Sequence, residues 1–252
     1  MGNGTTIKFD FMPNLRKPIL VEGLPGVGNV GKIAADHLCE KLGGKKFATV
    51  YSESFPPQVT LDKDGVVSLA CNELYYVENV NGEDLIFLRG EYQGSTPEGQ
   101  YLICEDIMKD VFLKMDVSYI YTLGGYGTGQ IVETPRVLGA VSDISLKQDL
   151  IENGVVFSSG EPAGGIVGAS ALFVAFGKMY NIPAACIMGE TSGYFIDHKS
   201  AIAILGVLES IFGVSTDKKD LEAKSQQIDE LTAKVREIEG AQNAPSDLRY
   251  IG

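Results

Sequence analysis

The chain has no tryptophan, only two histidines and only four cysteines in 252 residues. Each shortage excludes something. His37 and His198 have no second His or Cys at helical ligand spacing, so no metal site is expected. Cys39, Cys71, Cys104 and Cys186 are widely separated, form no CxxC pair and sit among apolar neighbours. They are expected as buried, reduced thiols rather than a disulfide frame or zinc cluster. Positive charge is scarce as well, with 21 Lys and Arg against 33 Asp and Glu and a net charge of -12. That balance argues against the basic stripe that nucleic acid or an anionic membrane requires. The longest apolar runs are broken by Gly, Lys or Asn before they reach bilayer length, and the first residues lack the basic start and apolar run of a signal peptide. The expected setting is the cytoplasm, with no cofactor.

What is present is a 44% hydrophobic composition and 30 glycines, enough for one large buried core. Short apolar runs at residues 19–24, 47–51, 66–71, 85–88, 117–123, 155–157 and 184–188 are expected as strands. Helices are expected between several of them. One covers 30–42. Another opens at Thr96-Pro97, a cap followed by proline at the first helical position, and runs towards Met115. Two more cover 165–180 and 197–212. The alternation implies a single α/β domain with a central mixed or parallel sheet over residues 1–213.

After Gly213 the composition changes. Residues 216–239 contain no Gly, Pro or aromatic residue, and Leu221, Ile228, Leu231, Val235 and Ile238 fall on two interleaved seven-residue series, with Lys224 at the remaining seam position. A charged helix over 214–240 is expected, pairing with a copy of itself or lying on its own domain, because an isolated helix of this length is marginal in water. Residues 241–252 then read as a loose tail. Asn243, Pro245 and Ser246 precede Leu248-Arg249-Tyr250-Ile251-Gly252, where apolar groups and a Tyr stand beside the final residue. Such a tail either docks into another protein's pocket or folds back on its own domain.

Three glycine-rich stretches invite a ligand reading. In Gly23-Leu24-Pro25-Gly26-Val27-Gly28-Asn29-Val30-Gly31-Lys32-Ile33, Gly26, Gly28 and Gly31 satisfy GxGxxG between a strand and a helix. The same stretch spells GxxxxGK, but Ile33 replaces the Ser or Thr that would hold magnesium in a P-loop. A dinucleotide site needs an acid after the next strand, and Glu53 is the candidate. The second stretch contains Gly124 and Gly125, the third Gly164, Gly165 and Gly168. Together they line one crevice or simply form tight turns. Ser170 lacks the second glycine of a nucleophile elbow, and Asp197-His198 reads as a helix cap with a surface imidazole.

In order, Gly23 to Lys32, Ser54-Phe55-Pro56-Pro57, Gly124-Gly125-Tyr126, Gly164 to Gly168 and Gly189-Glu190-Thr191 resemble the archaeal form of the proteasome assembly chaperone family, over roughly residues 19–212. The resemblance implies an α/β fold similar to purine nucleoside phosphorylases, no enzymatic activity, and glycine loops that are structural. It also implies a homo-oligomer whose C-terminal hydrophobic-tyrosine motif docks between α subunits of the core proteasome. Leu248, Tyr250, Ile251 and Gly252 are then the partner-binding residues, although Tyr250 is third from the end and follows Arg249, where the family motif has a penultimate Tyr behind an apolar residue. The alternative is a nucleosidase or phosphorylase-type enzyme using the glycine loops with Glu190, Asp197 and His198.

Overall fold

A computed structural model describes residues 4–242, with side chains as far as residue 231. Ten strands form in chain order: β1 (Thr5–Phe9), β2 (Ile19–Gly23), β3 (Lys45–Ser52), β4 (Val59–Leu61), β5 (Val67–Leu69), β6 (Cys71–Val80), β7 (Glu83–Gly90), β8 (Tyr119–Gly127), β9 (Val137–Val141) and β10 (Ala184–Thr191). The helices are α1 (Val30–Lys41), α2 (Pro97–Ile107), α3 (Lys147–Glu152), α4 (Ala169–Tyr180), α5 (His198–Phe212) and α6 (Lys219–Gln242). A π-helical turn, Met108–Phe112, continues α2.

Eight strands make one sheet in the order β1-β3-β6-β7-β2-β8-β10-β9. Its middle, β7-β2-β8-β10, is parallel, and both flanks are antiparallel. The expected α/β class with a mixed sheet is what forms. Successive side chains of a strand point to opposite faces, and β2 shows the result. Leu20 joins a core beneath α2 and α4 that includes Phe47, Leu88, Ile103, Phe112 and Phe173. Val21 joins a second core beneath α1 and α5 with Ala34, Leu38, Phe87, Leu205 and Leu208. The helices start where local chemistry caps them: the Thr96 hydroxyl accepts from the Gly99 amide at 3.0 Å and the Asp197 carboxylate from the Ser200 amide at 2.9 Å.

Four expectations need correction. The run 66–71 is not a core strand. Val67–Leu69 pairs with Val59–Leu61 in a separate two-stranded ribbon, and Cys71 begins β6. Residues 155–157 make only a single bridge, Val156 to Leu138. The helix expected from 165 starts at Ala169, because Gly165 and Gly168 have φ of 85° and 83° and cannot belong to a right-handed helix. Cys71 is half-buried, while Cys39, Cys104 and Cys186 are buried free thiols. Among the described residues no helix is long and apolar enough to cross a membrane.

Candidate functional site

The C-terminal ends of the parallel strands point the same way, so the loops after β2, β8 and β10 meet at one end of the sheet. This is where open α/β folds place ligands, and the glycines decide whether space remains there. A Cβ at Gly31 would lie 2.2 Å from the Leu123 carbonyl oxygen, one at Gly125 2.2 Å from the Val27 carbonyl oxygen, and one at Gly23 2.3 Å from the Ala35 Cβ. At Gly31 and Gly125 the first loop and α1 press backbone to backbone on β8, and at Gly23 α1 lies as close on β2. Gly28 has φ of 62°, its carbonyl accepts from the Asp197 amide at 2.9 Å, and a Cβ there would sit 3.0 Å from the Thr191 hydroxyl. A Cβ on Gly168 would meet the Gln93 amide oxygen at 2.8 Å, one on Gly124 only Met188 at 3.7 Å, and Gly26, Gly164 and Gly165 face open space.

At the start of α4 the position an anion would take is filled by a protein group. The amide of Ala169, at the start of α4, donates to the Gln93 side-chain oxygen at 3.0 Å, and the Gln93 amide donates in turn to the Pro25 carbonyl. Lys32 does not reach towards the loop's interior; it pairs with Asp36 at 2.6 Å and Glu91 at 2.8 Å. Burial works against its charge, but these hydrogen bonds prevail and raise its pKa above the ordinary lysine value. Glu53 borders a groove beside β1 and β3, and β6 and β7 lie between β3 and β2, so it does not serve the Gly26–Gly31 loop. We therefore expect no ATP or GTP hydrolysis above background, and a Lys32→Ala protein whose partner binding is intact. Turnover that disappears in Lys32→Ala would restore the nucleotide reading.

Among the described residues the polar groups proposed for an enzyme make no hydrogen bond to one another. Glu190 is held by Arg136 at 2.5 Å, and Arg136 also pairs with Glu161 at 3.0 Å. The Arg136 hydrogen bonds keep the Glu190 carboxyl below its ordinary pKa despite some burial. Asp197 is the cap of α5, as read from sequence. His198 is half-buried rather than a surface imidazole, its Nδ1 is buried without a hydrogen-bond partner, and burial, then Lys224, lowers its pKa. No group of three or more His, Cys, Asp or Glu arranged to hold a metal occurs among the described residues.

Sequence reasoning overlooked Glu22, the one acid inside the apolar run of β2, and that position in the run was the available signal. It is fully buried. It accepts from the Leu24 amide at 3.1 Å and from Ser170 Oγ at 3.0 Å. Burial lifts its carboxyl from 4.5 to about 7, with the Ser170 and Leu24 hydrogen bonds only partly opposing. The folded protein thus keeps a proton that the unfolded chain has released between pH 4.5 and about 7. Stability must fall as pH rises through that window and level off above it, by about 3 kcal/mol in all. Glu22→Gln should remove this slope. The lowered pKa values of His37 and His198 act with the opposite sign below 6.5, so the wild-type minus Gln difference is the quantity to read from urea midpoints across pH. Identical slopes in both proteins would refute the assignment.

This end of the molecule exposes several apolar side chains. Val27, Ile131 and Ile196 are 40–49% exposed, Tyr194 77% and Val167 86%. Beside them runs α6. Its first turns lie on the body, with Leu221 in the α1–α5 core, Ser225 buried and Asp229 paired with Lys199 at 2.9 Å. Glu209, near the end of α5, holds Lys218 just before α6 begins, so α6 runs antiparallel to α5 and returns to the loop end. There Ile228 and Asp229 border Ile131, Phe195 and Ile196. Of the two expected arrangements, lying on its own domain is what these turns do. Leu231 is 62% exposed. The side chains of Val235 and Ile238, and Leu248, Tyr250, Ile251 and Gly252 altogether, lie outside the described residues.

Residues 20–236 match the PAC2 family. An uncharacterized protein of Methanocaldococcus jannaschii is 35% identical over 246 residues, 94% of this chain and 93% of that one. Among solved structures, PbaB of Pyrococcus furiosus, described as an archaeal proteasome activator, is 33% identical with a TM-score of 0.87, covering 93% of this chain and all of PbaB. PbaA of the same organism, described as an archaeal homolog of proteasome-assembly chaperone, is 23% identical with a TM-score of 0.78 and covers 95% of each chain. The chain belongs to the PAC2 family. PbaB is described as a proteasome activator and not as an enzyme, which agrees with the close backbone contacts at Gly31 and Gly125.

Proposed function

We propose that this PAC2-family chain is a proteasome-binding protein, an activator or assembly chaperone, that docks residues 248–252 on the α ring of the core proteasome. The observation that carries the reading is α6. It is seated on α5 as far as Asp229 and continues thirteen residues to Gln242, about 20 Å at 1.5 Å per residue. Ten further residues add at most about 35 Å. A helix fixed at its base and leaving from the end where the apolar loops gather is suited to holding a short peptide away from the body. The 33% identity across the whole of PbaB, set beside 23% for PbaA, favours the activator role.

At the α ring the terminal carboxylate pairs with a lysine at the pocket mouth, while Tyr250 packs its ring and hydrogen-bonds through its hydroxyl. A single peptide of this size binds weakly. A cytoplasmic homo-oligomer presenting several tails gains from effective concentration instead. Capture of core proteasome by the intact chain, compared with a chain lacking its last three residues, tests the proposal.

A further inference from the structure

The chain has two histidines, and they lie at opposite ends of the seat that holds α6. His37, on α1, is buried, and its Nε2 is 3.4 Å from Thr216 Oγ1 in the segment leading from α5 into α6. The charges around it are Glu40 and Lys41 of its own helix, Glu209 of α5, and Asp217 and Lys218 just before α6. His198 is the first residue of α5 and borders a cleft of about 20 Å³ together with Ser225, Ile228 and Asp229 of α6. Its charged neighbours among the described residues are Asp197 and Lys199 beside it, and Lys224 and Asp229 on α6.

Neither place accommodates an extra proton. At His37 the one acid on α5 is already engaged, since Glu209 accepts from Thr216 Oγ1 at 2.6 Å and from Lys218 at 2.5 Å. Burial, then Lys41 and Lys218, work against a charged ring there. At His198 the Nδ1 is buried with no partner among the described residues, and the cleft has room for about one water. Asp197 is engaged by the Ser200 amide and Asp229 by Lys199, while the positive end of the α5 dipole opposes a cation at the first residue of the helix. The helix above has little to resist such a charge. Between residues 219 and 231 only Leu221 and Ser225 are buried, and an element with few buried contacts opens before the sheet does.

We propose that His37 and His198 make the seat of α6 an acid-released latch, so that protonation of the two rings lifts the helix from α5 while the sheet stays folded. The inference concerns the helix alone and does not depend on the proteasome reading, though it would unfix the base from which residues 243–252 extend. Away from the seat each ring takes its proton at about 6.5, and seated it does so only at lower pH. The released helix therefore binds more protons, so docking is fully held above 6.5 and weakens as pH falls through that value. At pH 5 each ring weakens docking by at most about thirtyfold, and the two together by at most about a thousandfold. Burial opposes the Glu209 charge, but the hydrogen bonds from Lys218 and Thr216 prevail and keep its carboxyl below the ordinary pKa. The pair with Lys218 thus persists through the window in which the histidines titrate.

Two measurements on the full chain test it. In hydrogen exchange corrected for the pH dependence of the chemical rate, amides of residues 221–229 should exchange at least about tenfold faster at pH 5 than at pH 7.5, and those of β8 should not. His37→Gln with His198→Gln should abolish that acceleration, whatever the rate at pH 7.5. Imidazole NMR should give two titration curves, both with midpoints below 6.5. Leu221→Ala, which loosens the seat without altering either ring, should move both midpoints up towards that value. Equal protection of α6 at the two pH values, wild-type acceleration in the double variant, or β8 amides that accelerate together with α6 would each overturn the proposal. So would histidines that titrate at their ordinary value while α6 stays protected. Because neither measurement includes proteasome, failure of tail docking leaves this result untouched.

Discussion

Removal of Tyr250, Ile251 and Gly252 is expected to abolish capture of core proteasome, lowering apparent affinity by a factor on the order of 10² to 10⁴ if several tails dock at once. The sequence puts an aromatic ring, aliphatic groups and the last carboxylate within five residues, behind Asn243, Pro245 and Ser246. Tyr250→Ala should have a similar though smaller effect, since it removes the ring and its hydroxyl but leaves the carboxylate. The sheet and its two cores are built without residues 250–252, so the melting temperature and the oligomer mass are expected to stay at their wild-type values. Unchanged capture at matched oligomer state would remove the tail from the mechanism. A result in which Tyr250→Ala binds normally and the truncation does not would shift recognition to Ile251 and the carboxylate, consistent with a register different from the family's penultimate tyrosine.

The largest stability effect should come from Gly31→Ala. In an ordinary helix this change is favourable by about 1 kcal/mol, and the φ of Gly31 is not among the positive values that demand glycine. Packing decides otherwise. The new Cβ would lie 2.2 Å and 2.3 Å from the Leu123 carbonyl oxygen and carbon, and 2.7 Å from the Gly124 amide nitrogen. All three are backbone atoms in the middle of a paired strand, so α1 itself has to withdraw by about 1 Å and open gaps beneath Ala34 and Leu38. Overpacking of this kind costs roughly 3 kcal/mol net, which lowers the melting temperature by about 10 °C in a chain of this size. Gly26→Ala is the matched control. Its backbone is extended and a Cβ meets nothing within 4 Å, so a change within about 0.5 kcal/mol is expected. Equal melting of the Gly31 variant and wild type would show that helix and strand are not in such close contact.

These two glycines show how far the sequence could be read. GxGxxG located a strand, a turn and a helix correctly, yet the spacing alone does not say which glycine is squeezed and which is open. That depends on β8, nearly a hundred residues away. The strands β2, β3, β8 and β10 were visible as apolar runs, and α2 and α5 through their caps. The ribbon was misread because Val66 to Leu69 has the composition of a core strand, and composition does not distinguish an apolar face turned inward from one turned outward. β9 was missed because Gly139 weakens its pattern. A Cβ there would stand 2.6 Å from both Phe157 and Val155, and those two residues are part of the run expected to be a strand. Ser170 was judged against a nucleophile motif, whereas its partner Glu22 lies 148 residues earlier. The site residues at 248–252 rest on sequence and resemblance.

The order of strands in the sheet differs from their order in the chain, and this has a consequence during synthesis. β9 lies outside β10 and pairs with the sheet through it, yet β10 is translated more than forty residues later. Until residue 191 has left the ribosome, β8 has one uncovered edge and the strand that will close the sheet is waiting without a partner. The seat for α6 is made of α5 and the loop after β10, which are later still. A nascent chain therefore completes the seat of α6 only when almost all of it has been made.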